Sequence, residues 1–272
     1  MNLKIGCQGW NYADWTTKAG GETVFYPRGT KSNEMLAIYA EAFETVEVDS
    51  TFYAIPAQAT LETWFQKTPP QFVFSLKMPR EITHARALQP AGFAFLREFC
   101  ERVLVLKEKL AAVLIQLPPQ FEASGENIAH LKLFLRELPK EIRFAVEFRH
   151  RSWFEASVFD ALARQNVALC LTEGNWIERG LIVEVAEMQI ADFAYVRFMG
   201  ERDLTRFDAV QRPQTTNLKL WHDVLTEIAV PTFVYFSNFY EGFAPASANG
   251  LKQMFGQTTI EPAQLTDQPS LF

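Results

Sequence analysis

Six ionisable residues recur in short segments that otherwise read as buried strands. VEVDSTFYAIP (46–56) carries Glu47 and Asp49, and FVFSLKMP (72–79) carries Lys77. RFAVEFRH (143–150) carries Glu147 and Arg149, and FAYVRFMG (193–200) carries Arg197. A carboxylate set near a lysine and arginines can act as a general base while the cations hold an anionic group or a developing oxyanion. Glu147 and Arg149 stand two residues apart on one strand face, so both can reach one ligand. The expected roles are Glu147 as acid or base, Asp49 as its partner and Lys77 as electrophilic helper. Lys77 could instead form a Schiff base. Arg149 and Arg197 are expected to clamp an anion, bidentate by geometry.

Such a set works only if the fold converges it. Eight β-like runs punctuate the chain: 4–9, 45–51, 72–79, 111–118, 143–150, 167–173, 193–200 and 232–238. Helical patterns fall at 32–43, with Ser32 as its N-cap, and at 92–110, 126–138, 154–166 and 217–229. The stretch 174–192 shows no clear period. Alternating strands and helices imply a parallel sheet covered by helices, and eight units in 272 residues predict an α/β fold of the (β/α)8 TIM-like barrel type. No linker or charge run divides the chain, so residues 1–272 read as one domain. A doubly wound sheet finds no support, since no GxGxxG or GxxxxGK[ST] follows any strand.

In a barrel strand the large apolar residues face the helices and the alternate set faces the lumen. Val46 and Val48, Phe72, Phe74 and Leu76, Phe144, Val146 and Phe148, and Val196 and Phe198 go outward. Glu47, Asp49, Ser75, Lys77, Gln116, Glu147, Arg149, Cys170, Thr172, Tyr195, Arg197 and Met199 then go inward, with Gly6 and Gln8 from the first strand. The eighth strand permits Tyr235 and Ser237 inward, or Val234, Phe236 and Asn238. The expectation is a polar, charged lumen whose ionisable groups gather at the C-terminal face, where such barrels carry their sites. Ions buried merely as packing would cost several kcal/mol each unless paired. Glu47, the deeper acid, reads as a structural partner for a cation.

The segments IGCQGW with DW (5–15), VEVDSTFYAIP, FSLKMPREITH (74–84), LIQLPPQF (114–121), EFRHRSW (147–153), YVRFMG (195–200) and APASANGLKQM (244–254) together resemble the YecE-like family, also called domain of unknown function 72. The resemblance implies a TIM-like barrel and no established reaction. It also implies a pocket formed by Gly9, Trp10, Asp49, Thr51, Tyr53, Lys77, Gln116, Glu147, Arg149, Trp153, Arg197, Asn238 and Asn249. Two places depart from the family pattern. Met199-Gly200 stands where many relatives have His-Gly, and SNFYEGF (237–243) stands where relatives often have paired Asn and a His.

Aromatics at the strand exits, Trp10, Tyr12, Phe52, Tyr53 and Trp153, could stack on a ligand ring or simply support loops. The loop after the eighth strand leads into a helix, a frequent phosphate seat in barrels, though Glu241 is a poor neighbour for phosphate. His84, His130, His150 and His222 have no ligand-pair spacing, so no metal site is expected beyond a loose Mg²⁺ on Asp49 and Glu147. The net charge of −6 argues against a polyanion as main partner. The three cysteines form no CxxC, MNLKIGCQGW has no signal-peptide layout and no apolar run has membrane length, so a cytoplasmic location is expected. The composite expectation is an enzyme without metal or cofactor, a hydrolase, lyase or isomerase acting on a small anionic or polyol-like metabolite. The alternatives are a protein that binds a flipped nucleic-acid base, and a non-catalytic small-molecule binder.

Overall fold

The computed structural model describes residues 2–17, 21, 24–260 and 264–265. Eight parallel strands close in sequence order: β1 (Leu3–Gln8), β2 (Thr45–Val48), β3 (Val73–Lys77), β4 (Leu110–Gln116), β5 (Phe144–Glu147), β6 (Val167–Glu173), β7 (Ala194–Phe198) and β8 (Thr232–Phe236). The helices α1 (Met35–Ala42), α2 (Gln58–Gln66), α3 (Phe93–Val103), α4 (Gly125–Glu137), α5 (Ala156–Arg164), α6 (Arg179–Ala186) and α7 (Thr215–Glu227) each follow the strand of the same number. Two more, α8 (Asn238–Glu241) and α9 (Ala244–Met254), follow β8. This is the (β/α)8 architecture that the strand count predicts.

Several local expectations need correction. α1 starts at Met35 with Glu34, not Ser32, at its N-cap, and the Glu34 carboxylate accepts from the Lys31 amide at 2.8 Å. The predicted helix 92–110 breaks: α3 ends at Val103 and a 3-10 stretch follows, with Lys107 at φ +49°. α2 carries no clear apolar period in the sequence, because only Leu61 of its nine residues is fully buried. α6 fills the stretch that showed no clear period.

Two apolar layers sandwich the strands. Outward residues such as Val46, Phe74, Val146, Val196, Val234 and Phe236 pack with helix stripes from Leu61, Phe134, Leu162 and Trp221 in one continuous core. Inside the barrel, Ala112, Leu114, Ala145, Ala168, Cys170, Tyr195, Phe233 and Tyr235 form a second, smaller cluster. The eighth strand therefore turns Phe233 and Tyr235 inward. The lumen is charged only in its upper part. Its lower part is apolar, with the Tyr235 hydroxyl bonded to Thr45 and Ser75 at 2.8 Å each.

The β1–β2 seam is unusual. Only Cys7↔Val46 and Gln8↔Glu47 pair, whereas β1 pairs with β8 at five positions. Below that short ladder the Tyr39 hydroxyl of α1 inserts between the strands. It accepts from the Cys7 amide at 2.8 Å and donates to the Thr45 carbonyl at 2.9 Å. Gly6 makes room for this, since a Cβ there would lie 2.1 Å from the Thr45 carbonyl oxygen.

Candidate functional site

β2, β5 and β7 end together around one ionic chain. Glu47, fully buried, accepts from Arg197 Nε at 2.9 Å, from Arg197 Nη2 at 2.7 Å and from the Tyr195 hydroxyl at 2.7 Å. Arg197 Nη1 donates to Glu147 Oε2, and Glu147 Oε1 accepts from Arg149 Nε. Gln8, its amide oxygen turned to Arg197, accepts from Nε and Nη2 at 3.2 Å. Burial alone would raise the Glu147 carboxyl; the adjacent Arg149 and Arg197 guanidinium groups overcome this and hold it at about 2. For Arg197, burial would favour proton loss, yet Glu147 and Glu47 drive its pKa well above the usual arginine range. Two acids and two bases thus neutralise one another, as burial requires. Arg149 also stacks on Trp176, its guanidinium carbon 3.7 Å from the ring centre, and its Nη2 is buried without a hydrogen-bond partner.

Above this chain lies a cavity of about 320 Å³. Lys77, Arg80, Arg149, Arg197 and Arg202 line it, with Asp49 the one carboxylate among the lining residues. Among the described residues, the five lining cations against Asp49, Glu47 and Glu147 leave an excess of two positive charges around the cavity. Lys77 stands at the end of β3, half-buried, with Nζ 4.0 Å from the centre of the Phe52 ring. Burial first, then repulsion from Arg197, lowers its pKa to about 8, against the opposing pull of Glu147 and Glu47. His84 lines the same cavity. Burial, then Lys77, Arg149 and Arg80, hold its pKa near 4, so its imidazole is neutral at ordinary pH. Its Nδ1 lies 2.9 Å from the Thr83 hydroxyl.

The family model described as "Protein of unknown function DUF72" matches residues 4–270. The chain belongs to the DUF72 family. The UPF0759 protein YunF of Bacillus subtilis is 33% identical over 182 residues, 64% of this chain and 58% of YunF. The match thus spans little more than half of that relative's length. The UPF0759 protein YecE of Escherichia coli K12 is 26% identical over 207 residues, 69% of this chain and 75% of YecE. A DUF72 family protein from Thermotoga maritima superposes with a TM-score of 0.74 at 24% identity, covering 94% of this chain and all of that one. One from Enterococcus faecalis gives 0.72 at 18%, covering 99% of each. These structures share the barrel fold.

Within this DUF72 barrel, Asp49, Tyr53, Lys77, Gln116, Arg149 and Arg197 line the cavity, and Glu147 lies beneath it, bound to both arginines. Asp49 is not a strand residue. β2 stops at Val48 and the backbone turns into a 3-10 step at Ser50–Phe52, which leaves Asp49 exposed at the rim. Arg197 is not a free clamp, because two internal carboxylates occupy its guanidinium. Both Glu147 oxygens meet guanidinium groups, which makes that carboxylate a poor seat for Mg²⁺. Six more expected pocket residues do not line the cavity. Gly9 turns the chain after β1 at φ +79°, and the buried Thr51 hydroxyl bonds the Val48 and Lys77 carbonyls at 3.1 and 2.7 Å. Trp153 is buried between Phe121 and Phe148 and donates to the Phe121 carbonyl at 2.6 Å. Trp10 packs edge-on against Trp64 with ring centres 5.5 Å apart. Asn249 sits within α9. Asn238 follows β8, where its Oδ1 accepts from Trp15 Nε1 at 3.2 Å and from the Ala244 amide at 3.0 Å. That second bond caps α9 from within the protein and fills the expected phosphate seat. Glu241 likewise serves the fold, accepting from the Gln214 amide at 2.6 Å.

Arg80 and Arg202, absent from the sequence-based site, come from the loops after β3 and β7, and Met199 and Ser237 line the cavity beside them. A search of loop cations directly following strand ends would have found both arginines. Among the described residues, no cluster of three or more His, Cys, Asp or Glu side chains could hold a metal ion, and no helix is long and apolar enough to cross a membrane.

Proposed function

We propose that the barrel mouth binds a small anionic metabolite and that Lys77 performs acid/base chemistry on it. The observation that carries this reading is the excess of positive charge around the cavity after Glu47 and Glu147 have been balanced. A volume of about 320 Å³ falls at the small end of ligand pockets, which run from roughly 300 to 1,000 Å³. Arg80, Arg202 and the unpartnered Nη2 of Arg149 hold the anion. Phe52 and Tyr53 offer ring faces at the rim.

Near neutral pH a fraction of Lys77 is unprotonated, so it can take a proton from the bound metabolite and return it. The Glu147 carboxylate, held at about 2, does not exchange protons in that range and serves to fix the two arginines. The role expected of Glu147 from sequence thus passes to Lys77. Asp49, exposed at the rim, orients polar groups of the ligand.

Thermal melts and calorimetry with inorganic phosphate, pyrophosphate and citrate test the binding half. Wild-type protein should be stabilised by at least one of the three. The Arg80→Ala/Arg202→Ala double variant should bind on the order of tenfold more weakly, from loss of two charge-assisted contacts. Equal affinity in both proteins, or no stabilisation by any anion, would remove the reading.

A further inference from the structure

We propose that Lys77 is a carbonyl-reactive amine, forming an imine with an aldehyde or ketone that also bears an anionic group. The inference rests on the anion-site reading, and where the bound metabolite offers a carbonyl it has the Lys77 lone pair attack that carbon in place of taking a proton. Lys77 Nζ has no hydrogen-bond acceptor among the described residues, so attack on a carbonyl breaks no internal bond. One side of it is covered by the Phe52 ring at 4.0 Å, and the other opens on the cavity. The carboxylates below it, Glu47 and Glu147, have their oxygens committed to Arg197 and Arg149, so neither pins the ammonium in an ion pair. The cationic neighbours Arg197 and Arg149 disfavour a positive charge at this point. An amine desolvated and set among cations is the arrangement that leaves a lysine lone pair available at neutral pH.

The step balances without a co-reactant. The neutral amine adds to the carbonyl carbon, forming the C–N bond while the C=O π pair moves to oxygen. One proton passes from nitrogen to that oxygen, giving a carbinolamine. The hydroxyl then leaves as water with one proton taken from solvent at the open mouth. Amine, carbonyl and one proton thus become iminium and water. Counted from the resting ammonium, which first gives up a proton to solvent, the sequence of steps adds no net charge to the site. Arg80 and Arg202 hold the anionic group and set the carbonyl over Nζ.

The test incubates the full chain with dihydroxyacetone phosphate or with dihydroxyacetone, both with cyanoborohydride, and maps the reduced adduct by peptide mass spectrometry. The adduct adds the mass of the probe less one oxygen. Lys77 should be labelled by the phosphorylated ketone on the order of tenfold faster than by the neutral one, and than any exposed lysine, because the cationic mouth concentrates the anion. Inorganic phosphate should slow this labelling, and Lys77→Arg should abolish it. Should that variant fail to fold, the wild-type site map alone decides. No adduct at Lys77 with either ketone, or labelling no faster than at exposed lysines, overturns the imine. If phosphate still stabilises the protein in that case, the anion site stands and only the imine falls. Equal rates with the two ketones overturn the anionic half.

Discussion

Glu147 and Lys77 meet the same mouth, yet the barrel treats their protons differently. Two guanidinium groups lock Glu147 in its charged form, whereas burial and Arg197 loosen the proton on Lys77. The first is a stabilising arrangement. Its contribution is full above the ordinary carboxyl value of 4.5 and is lost as pH falls toward about 2. Glu147→Gln should cost about 3–5 kcal/mol near neutrality, because it leaves buried cations short of a partner. Denaturant titrations should also show a flatter acid limb for the variant between those two pH values. Lys77 is the opposite case. Its folded pKa lies below the unfolded 10.5, so the folded state resists the proton and stability rises as pH climbs from about 8 to 10.5. Lys77→Met should therefore stabilise the protein by roughly 1–3 kcal/mol at pH 7. The gain should vanish by about pH 10.5, read from urea midpoints at both pH values. A loss of stability at pH 7 would contradict this account of Lys77.

Among elements, the β1–β2 seam depends on a group that belongs to neither strand. Tyr39→Phe removes the hydroxyl that serves the Cys7 amide and the Thr45 carbonyl, leaving both buried and unpaired. A cost of about 1–3 kcal/mol is expected, together with faster hydrogen exchange at the Cys7 amide. Unchanged exchange would show that the two strands can pair without it. The elements also explain what could be read from sequence. Val46, Glu47 and Val48 alternate within a true strand, and so do Tyr195, Val196 and Arg197, so period-2 reasoning places Glu47 and Arg197 in the lumen. The same rule fails at Asp49, one residue past the strand end, where the backbone turns. It gives no purchase on Arg80 or Arg202, since loops have no period. Trp153 is placed at the pocket by the family motif and not by any period, and its ring is packed by Phe121 and Phe148 into the outer core, the loop-supporting role that its position also allows. The pairing that neutralises Arg197 is a contact among three strands, which no local pattern encodes.

At the scale of the whole molecule, a net charge of −6 surrounds a mouth that carries, among the described residues, an excess of two positive charges. Small anions can enter such a mouth, while a long polyanion must also meet the net negative charge of the chain as a whole. Single-stranded DNA and RNA oligomers should therefore bind no more tightly than about 10⁻⁴ M at physiological salt, measured by fluorescence anisotropy. Tight binding with a steep salt dependence would instead support the flipped-base alternative. Finally, the Tyr39 bridge bears on the order in which the molecule assembles. Below their two paired positions, β1 and β2 cannot satisfy one another until α1 is docked and its phenol is in place. The β1–β8 edge, with five pairs, has no such requirement. The seam is thus closed at one joint by a side chain from the outer layer, and closure there is expected to wait for that side chain. A kinetic comparison of Tyr39→Phe should find its effect mainly in the unfolding rate, the mark of a joint that is sealed last.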